Sequence, residues 1–177
     1  MKSDLRITAK GVVRVFIRKD GVDVPVDVIH NAVQSKGPLA LAGALAKGFK
    51  ISSVWFLHSS SSSPSSIGAS AGTLTAAQLL TIGGSSGNGL IACPAYATSV
   101  DTVTLTGAGK ATFLSVTADG TVKAGASFTN GRYVFAAGLI QATDDGDVLY
   151  AACDLTPVAK AANSQIGVRW TTTITVS

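Results

Sequence analysis

Glutamate is absent from this chain of 177 residues, and its ten acids are all aspartate. Long surface helices are commonly laced by Glu–Lys pairs at i and i+4, whereas aspartate serves turns and caps, so the acids fit turns and caps better than long helices with charge ladders. Charge of either sign is scarce, at 14% of residues against roughly 25% in an ordinary domain. A surface so weakly charged is expected to be covered in part by other protein.

Cysteine and histidine are nearly missing as well. Cys93 and Cys153 lie in apolar surroundings without CxxC spacing, and His30 and His58 are the two imidazoles. Such thiols are read as small buried hydrophobes, and four scattered ligands are a poor zinc set. His58 stands beside a serine tract, but a nucleophilic serine needs a preorganised base, and no GxSxG occurs. Thr106–Ala111 resembles a piece of a phosphate loop, yet Thr104 and Ala111 occupy positions that need Gly and Ser or Thr. Gly83–Gly89 does not open a Rossmann helix after a strand. Asp144, Asp145 and Asp147 lack the distal glutamate of a calcium loop and read as a hairpin turn. The expectation is therefore no catalytic residue, no cofactor and no metal. No run of eighteen apolar residues is present, and Met1–Lys10 has no apolar signal core, so neither membrane nor secretion is expected.

What the sequence does hold is alternation. Ile166, Val168, Trp170, Thr172, Ile174 and Val176 take every second place to the end of the chain, with Arg169 and threonines between them, which makes a strand with one dry and one wet face. Such a strand is expected to be well paired, with Trp170 and Ile174 in the core. Val12–Arg18 and Val22–Val28 read as a hairpin turned by Lys19-Asp20-Gly21, and Pro25 marks its second arm as an edge strand. Further strands are expected at 51–57, 98–106, 111–117, 121–128, 132–141 and 148–155, with turns at Asp119-Gly120, Asn130-Gly131 and Asp144–Asp147. Ser59–Ser66 reads as an exposed loop and 83–89 as a flexible turn region.

One helix is expected near residues 38–47, with Pro38 at its first position and Gly48 as its cap, and a shorter one near 73–80 opened by Thr73 or Thr75. The fold class is all-β: a two-layer antiparallel β-sandwich, jelly-roll-like, with one short α-helix near 38–47. It forms a single domain over 11–177, preceded by an N-terminal arm at 1–10. Residues 1–50 carry nine bases against four acids, a net +5. Lys2, Arg6, Lys10, Arg14 and Arg18 are the candidate partner-binding residues, for an acidic protein surface. No nucleic-acid partner is expected, because no dense basic run is interleaved with aromatics.

The order of elements adds a resemblance. The basic hairpin is followed by Asn31–Ala46, by Ile51-Ser-Ser-Val-Trp-Phe56, and by a Ser/Pro loop leading to Gly72-Thr-Leu-Thr75. Towards the end come Ala136-Ala-Gly-Leu-Ile140, Val148–Leu155, Thr156-Pro-Val-Ala-Lys160 and Arg169–Val176. Over about residues 10–57 and 132–177 this resembles tailed-bacteriophage virion proteins, whose endings read EAGLF…LFARA…PVTK…VTWTITFS. Ala136 departs from their usual acid.

The resemblance implies a non-enzymatic capsid decoration (cement) protein on the outer surface of the head, favoured over the tail and made in the host cytoplasm. It would bind the major capsid protein or another virion protein and itself as a homo-oligomer, a trimer being expected. Multivalent contacts of that kind stabilise a shell without catalysis. The alternatives are a tail-fibre or baseplate attachment domain and a carbohydrate-binding β-sandwich module, the last of which needs an exposed aromatic platform from Trp55 or Trp170.

Overall fold

The computed structural model describes residues 7–33, 52–94, 104–106, 110–118, 131–143, 146–161 and 164–176. The helix expected at 38–47 and the strand expected at 121–128 lie outside them. Nine strands are present among the described residues: β1 (Ile7–Lys19), β2 (Val22–Val33), β3 (Ser53–Ser59), β4 (Asn88–Pro94), β5 (Thr104–Thr106), β6 (Lys110–Ala118), β7 (Tyr133–Thr143), β8 (Gly146–Ala159) and β9 (Gln165–Val176). One α-helix, α1 (Ala76–Gly83), accompanies them. All ladders are antiparallel. The strand order is β4-β3-β7-β8-β2-β1-β9-β6-β5.

The β1–β2 hairpin closes on the pair Lys19 and Val22, with Asp20 at φ 52° and Gly21 at φ 78°. Two consecutive left-handed residues make the tight turn whose twist suits a hairpin, and Asp-Gly is well suited to supply it. β1 begins at Ile7, paired with Val176, so residues 7–10 belong to the sheet. This corrects the arm expected over 1–10: the ladder that β9 offers as far as Val176 absorbs its last four residues. β9 lies between β1 and β6 and is paired along both edges, with Ile166, Val168 and Trp170 buried.

β2 connects the two halves of the order. It pairs with β1 over most of its length, and only Ala32 and Val33 pair with β8. A side-chain link helps at the divergence, where the Thr156 hydroxyl donates to the Asp27 carboxylate at 2.6 Å. Val13, Val15, Ile166, Val168 and Trp170 from one half pack in a single cluster with Val54, Phe56, Leu139, Tyr150 and Cys153 from the other.

The opposite face of β3, β7 and β8 is also covered. Trp55, Leu57, Ala136, Ile140, Leu149 and Ala152 pack there against Ile67, Ala69, Ala76 and Leu79 of the excursion between β3 and β4. α1 seats itself over Gly138, where an added Cβ would lie 2.8 Å from Leu79 Cδ1 and 2.9 Å from Leu149 Cδ1. The helix starts at Thr75, whose hydroxyl accepts from the Gln78 amide while the Gln78 side chain accepts from the Thr75 amide, a reciprocal cap. Asp154 fastens the preceding loop by accepting from the amides of Ile67 (2.7 Å) and Ala69 (3.1 Å).

Three sequence expectations are revised here. The segment 88–94, expected to open inside a flexible turn region, is strand β4, paired with β3 from Asn88 to Pro94. Ser59, expected in the exposed loop, is the buried last residue of β3. β8 runs on to Ala159, through Pro157.

Candidate interaction surface

Of the five exposed large apolar side chains among the described residues, Val22, Val24, Val26 and Val28 lie on β2 and Leu80 on α1, and the exposed Arg14 and Arg169 lie on β1 and β9. Directly opposed residues in an antiparallel pair share a face. Val13, Val15 and Ile17 stand opposite Trp170, Val168 and Ile166, which places the core on that side of the β1–β9 pair. Arg14, Phe16 and Arg18 occupy the other side, opposite Arg169, Gly167 and Gln165. Phe16 lies flat over Gly167, where an added Cβ would meet the ring at 2.3 Å, and is 7% exposed. The Arg18 guanidinium sits 5.6 Å above the Phe16 ring centroid. This is within the range of a cation–π contact.

The polarity of this face follows from its charges. Arg18 Nε donates to Asp23 Oδ1 at 2.6 Å and Arg18 Nη2 to Asp23 Oδ2 at 3.0 Å, a two-point fork. That hydrogen bond, with smaller help from the fields of Arg18 and Arg169, holds the Asp23 carboxyl below its ordinary value. Arg14 and Arg169 are exposed and stand directly opposite each other, and neither has an ion-pair partner among the described residues. Val28 is opposite Arg14 across the β1–β2 ladder.

β2 supplies the apolar part. Val22, Val24, Val26 and Val28 are 41–62% exposed. Val22 and Val24 lie on the side of Lys19 and Ile17, and Val28 on the side of Arg14; the ladder slips by one residue between Val15 and Phe16, leaving Val26 as the extra residue of a bulge. Counting from the closing pair of the turn, Asp23 and Pro25 direct their backbone polar groups away from β1. Pro25 therefore lies on the free edge, where its missing N–H breaks any further ladder. Proline and a bulge together blunt this edge against strand addition, and the valine side chains remain exposed along it.

Of the five basic residues expected to bind a partner, Lys2 and Arg6 lie outside the described residues. Lys10 is placed in β1 opposite Thr173, and Arg14 and Arg18 share one face. The structure adds Arg169, which the sequence pattern places on the wet face of the last strand without connecting it to the basic hairpin. Only the register between two segments 155 residues apart brings Arg169 to Arg14.

Three further polar groups among the described residues, His58, Cys153 and Lys160, are buried. The His58 ring packs on Gly89, its cross-strand partner, at a distance that a Cβ there would forbid. Burial, with the positive charge of Arg132 as a lesser cause, lowers its pKa to about 4. The imidazole is thus neutral at pH 7. Cys153 is buried and burial raises its thiol far above the ordinary value, which leaves it unreactive. Cys93 is placed opposite Val54 on β4, three strands from β8, so about 14 Å of sheet separates the two cysteine backbones, well outside disulfide reach. Lys160 is buried, donates to the Ala161 carbonyl, and has its pKa lowered by burial. Among the described residues, no three His, Cys, Asp or Glu side chains converge to hold a metal, and no helix is long and apolar enough to cross a membrane. Comparison of the chain with protein-family models, curated proteins and solved structures finds no match.

Proposed function

We propose that this protein is a non-enzymatic structural component of a tailed-bacteriophage virion, a capsid decoration protein that seats on the outer head shell as a homo-oligomer. The fold is read as a two-layer, jelly-roll-like sandwich. The observation that carries the proposal is the exposure of four valines along β2, in a chain with few charges to solvate its surface. Exposed apolar side chains on both faces of one strand, Val22 and Val24 on one and Val28 on the other, are expected to be covered at least in part by protein in the working assembly. The blunted edge favours docking by side chains over open-ended strand addition, as a closed oligomer on a shell requires.

The segments that carry the phage resemblance include the β1–β2 hairpin, β3, the β7–β8 hairpin and β9, with residues 34–51 outside the described residues. Trp55 and Trp170 are both buried, which removes the aromatic platform on which a carbohydrate-binding module would rest. The tail-fibre alternative uses the same surface and is separated by location. Purified phage particles imaged by cryo-electron microscopy with a labelled antibody should show the protein on the head. Label on the tail supports attachment at a fibre or baseplate, and particles without the protein overturn the proposal.

A further inference from the structure

We propose that Arg14 and Arg169, both exposed, form a two-pronged carboxylate clamp on the face of the β1–β9 pair opposite Val13, Val15 and Trp170, and that its ligand is an acidic protein segment carrying small apolar side chains between its carboxylates. The first ground is the register. Two exposed arginines stand directly opposite each other on neighbouring strands. Their Cβ atoms are then only about 5 Å apart, a placement in which like charges destabilise a sheet. Among the described residues, the acid on that face is Asp23, opposite Arg18, and it is already held by the fork of Arg18. The fold therefore tolerates a repulsion that a bridging carboxylate would relieve, and each guanidinium can receive a carboxylate with two parallel hydrogen bonds.

The second ground is what surrounds the pair. Val28, 55% exposed, is opposite Arg14. A strip that sets valine beside arginine is complementary to a chain alternating acids with small apolar residues. A polyphosphate backbone would leave Val28 facing charge and would find no stacking surface, because Phe16 is covered by Gly167 on one side and Arg18 on the other. An acidic protein surface thus fits better than nucleic acid. The inference concerns the chemistry of one face and stands apart from the virion reading. Particles lacking the protein would sink that reading without touching this one.

The test uses the full chain with three probes: a labelled random copolymer of glutamate and alanine, labelled poly-L-glutamate, and a DNA duplex. The copolymer should bind more tightly than the duplex at physiological salt. The double variant Arg14→Gln, Arg169→Gln should weaken copolymer binding by about tenfold or more. Lys19→Gln, on the opposite side of the hairpin, should change it by less than about twofold, the effect of a screened exposed charge. The Arg14→Lys, Arg169→Lys variant should fall between, since it keeps charge and loses the fork. Melting temperature should hold or rise in the glutamine variant because a repulsion is removed. Equal losses from Lys19→Gln, tighter binding of the duplex, or a clear fall in melting temperature would each overturn the assignment. So would self-association that vanishes in the double variant while no polymer binds.

Discussion

Strands β2 and β7 are of similar length, 12 and 11 residues, and both are rich in apolar side chains, yet they meet opposite fates. From Val134 to Gln141 every residue of β7 is buried, because β3 and β8 flank it and the two core clusters cover its faces. β2 has β1 on one edge, β8 only at its last two residues, and four valines left largely exposed. The hydrophobic content of a strand therefore does not decide its burial; the number of neighbours that cover it does. β7 holds the fold together, and β2 leaves its valines exposed.

The contrast can be broken from the covered side first. Trp170→Ala removes a fully buried aromatic from the cluster shared by both halves. A loss of about 3–5 kcal/mol is expected. This is a large part of a domain stability of roughly 5–15 kcal/mol, so denaturant unfolding should lose its cooperativity or shift far to low denaturant. Truncation after Arg169 should be more severe, because it also strips β9 partners from β1 and β6. A truncated chain that unfolds cooperatively would refute the central place given to β9.

Asp154→Ala attacks the cover. It leaves the amides of Ile67 and Ala69 without their carboxylate, for an expected loss of about 2–3 kcal/mol. Limited proteolysis should then cut within 60–70 before the strands unfold. Uniform destabilisation without early cleavage there would mean that the loop is held by its apolar contacts alone.

His58 sharpens the comparison through pH. Its folded pKa of about 4 lies below the unfolded value of 6.5. Between these values the unfolded chain binds more protons, so the contribution is fully present above pH 6.5 and is lost as pH falls towards 4. The lost stability is on the order of 2 kcal/mol, allowing for partial access of water to the ring. Urea midpoints measured across that window should fall in the parent and fall less in His58→Phe.

The smallest effect on stability is expected where exposure is greatest. Val24→Thr with Val26→Thr keeps β-branched residues in the strand and should change unfolding free energy by less than about 0.5 kcal/mol per site. The same pair should reduce self-association or particle incorporation markedly. If stability falls by several kcal/mol instead, β2 is packed in the isolated protein and the contrast with β7 is lost.

Much of this architecture is legible in the residues themselves. Alternation alone marks β9, Asp20-Gly21 marks the hairpin, Pro25 marks the edge, and Thr75 is one of two expected starts for α1. β4 is hidden because its glycine and Asn88 read as a turn. Gly89 is there because the His58 ring needs its space, a cross-strand requirement that local pattern does not contain. The charge clamp is half visible, as a basic hairpin without Arg169.

Local conformation is determined by short-range physics. Turn dihedrals, caps and the period-two alternation of strands act over a few residues, so the chain itself marked most of its strands, the β1–β2 turn and the buried side of β9 at Ile166, Val168 and Trp170 opposite the exposed Arg169. Which apolar strand is covered, which arginines face each other, and which glycine yields to a ring depend on contacts between segments far apart in sequence. Tertiary structure alone decided those, because register and layer packing are set by the joint burial of side chains from both halves of the chain.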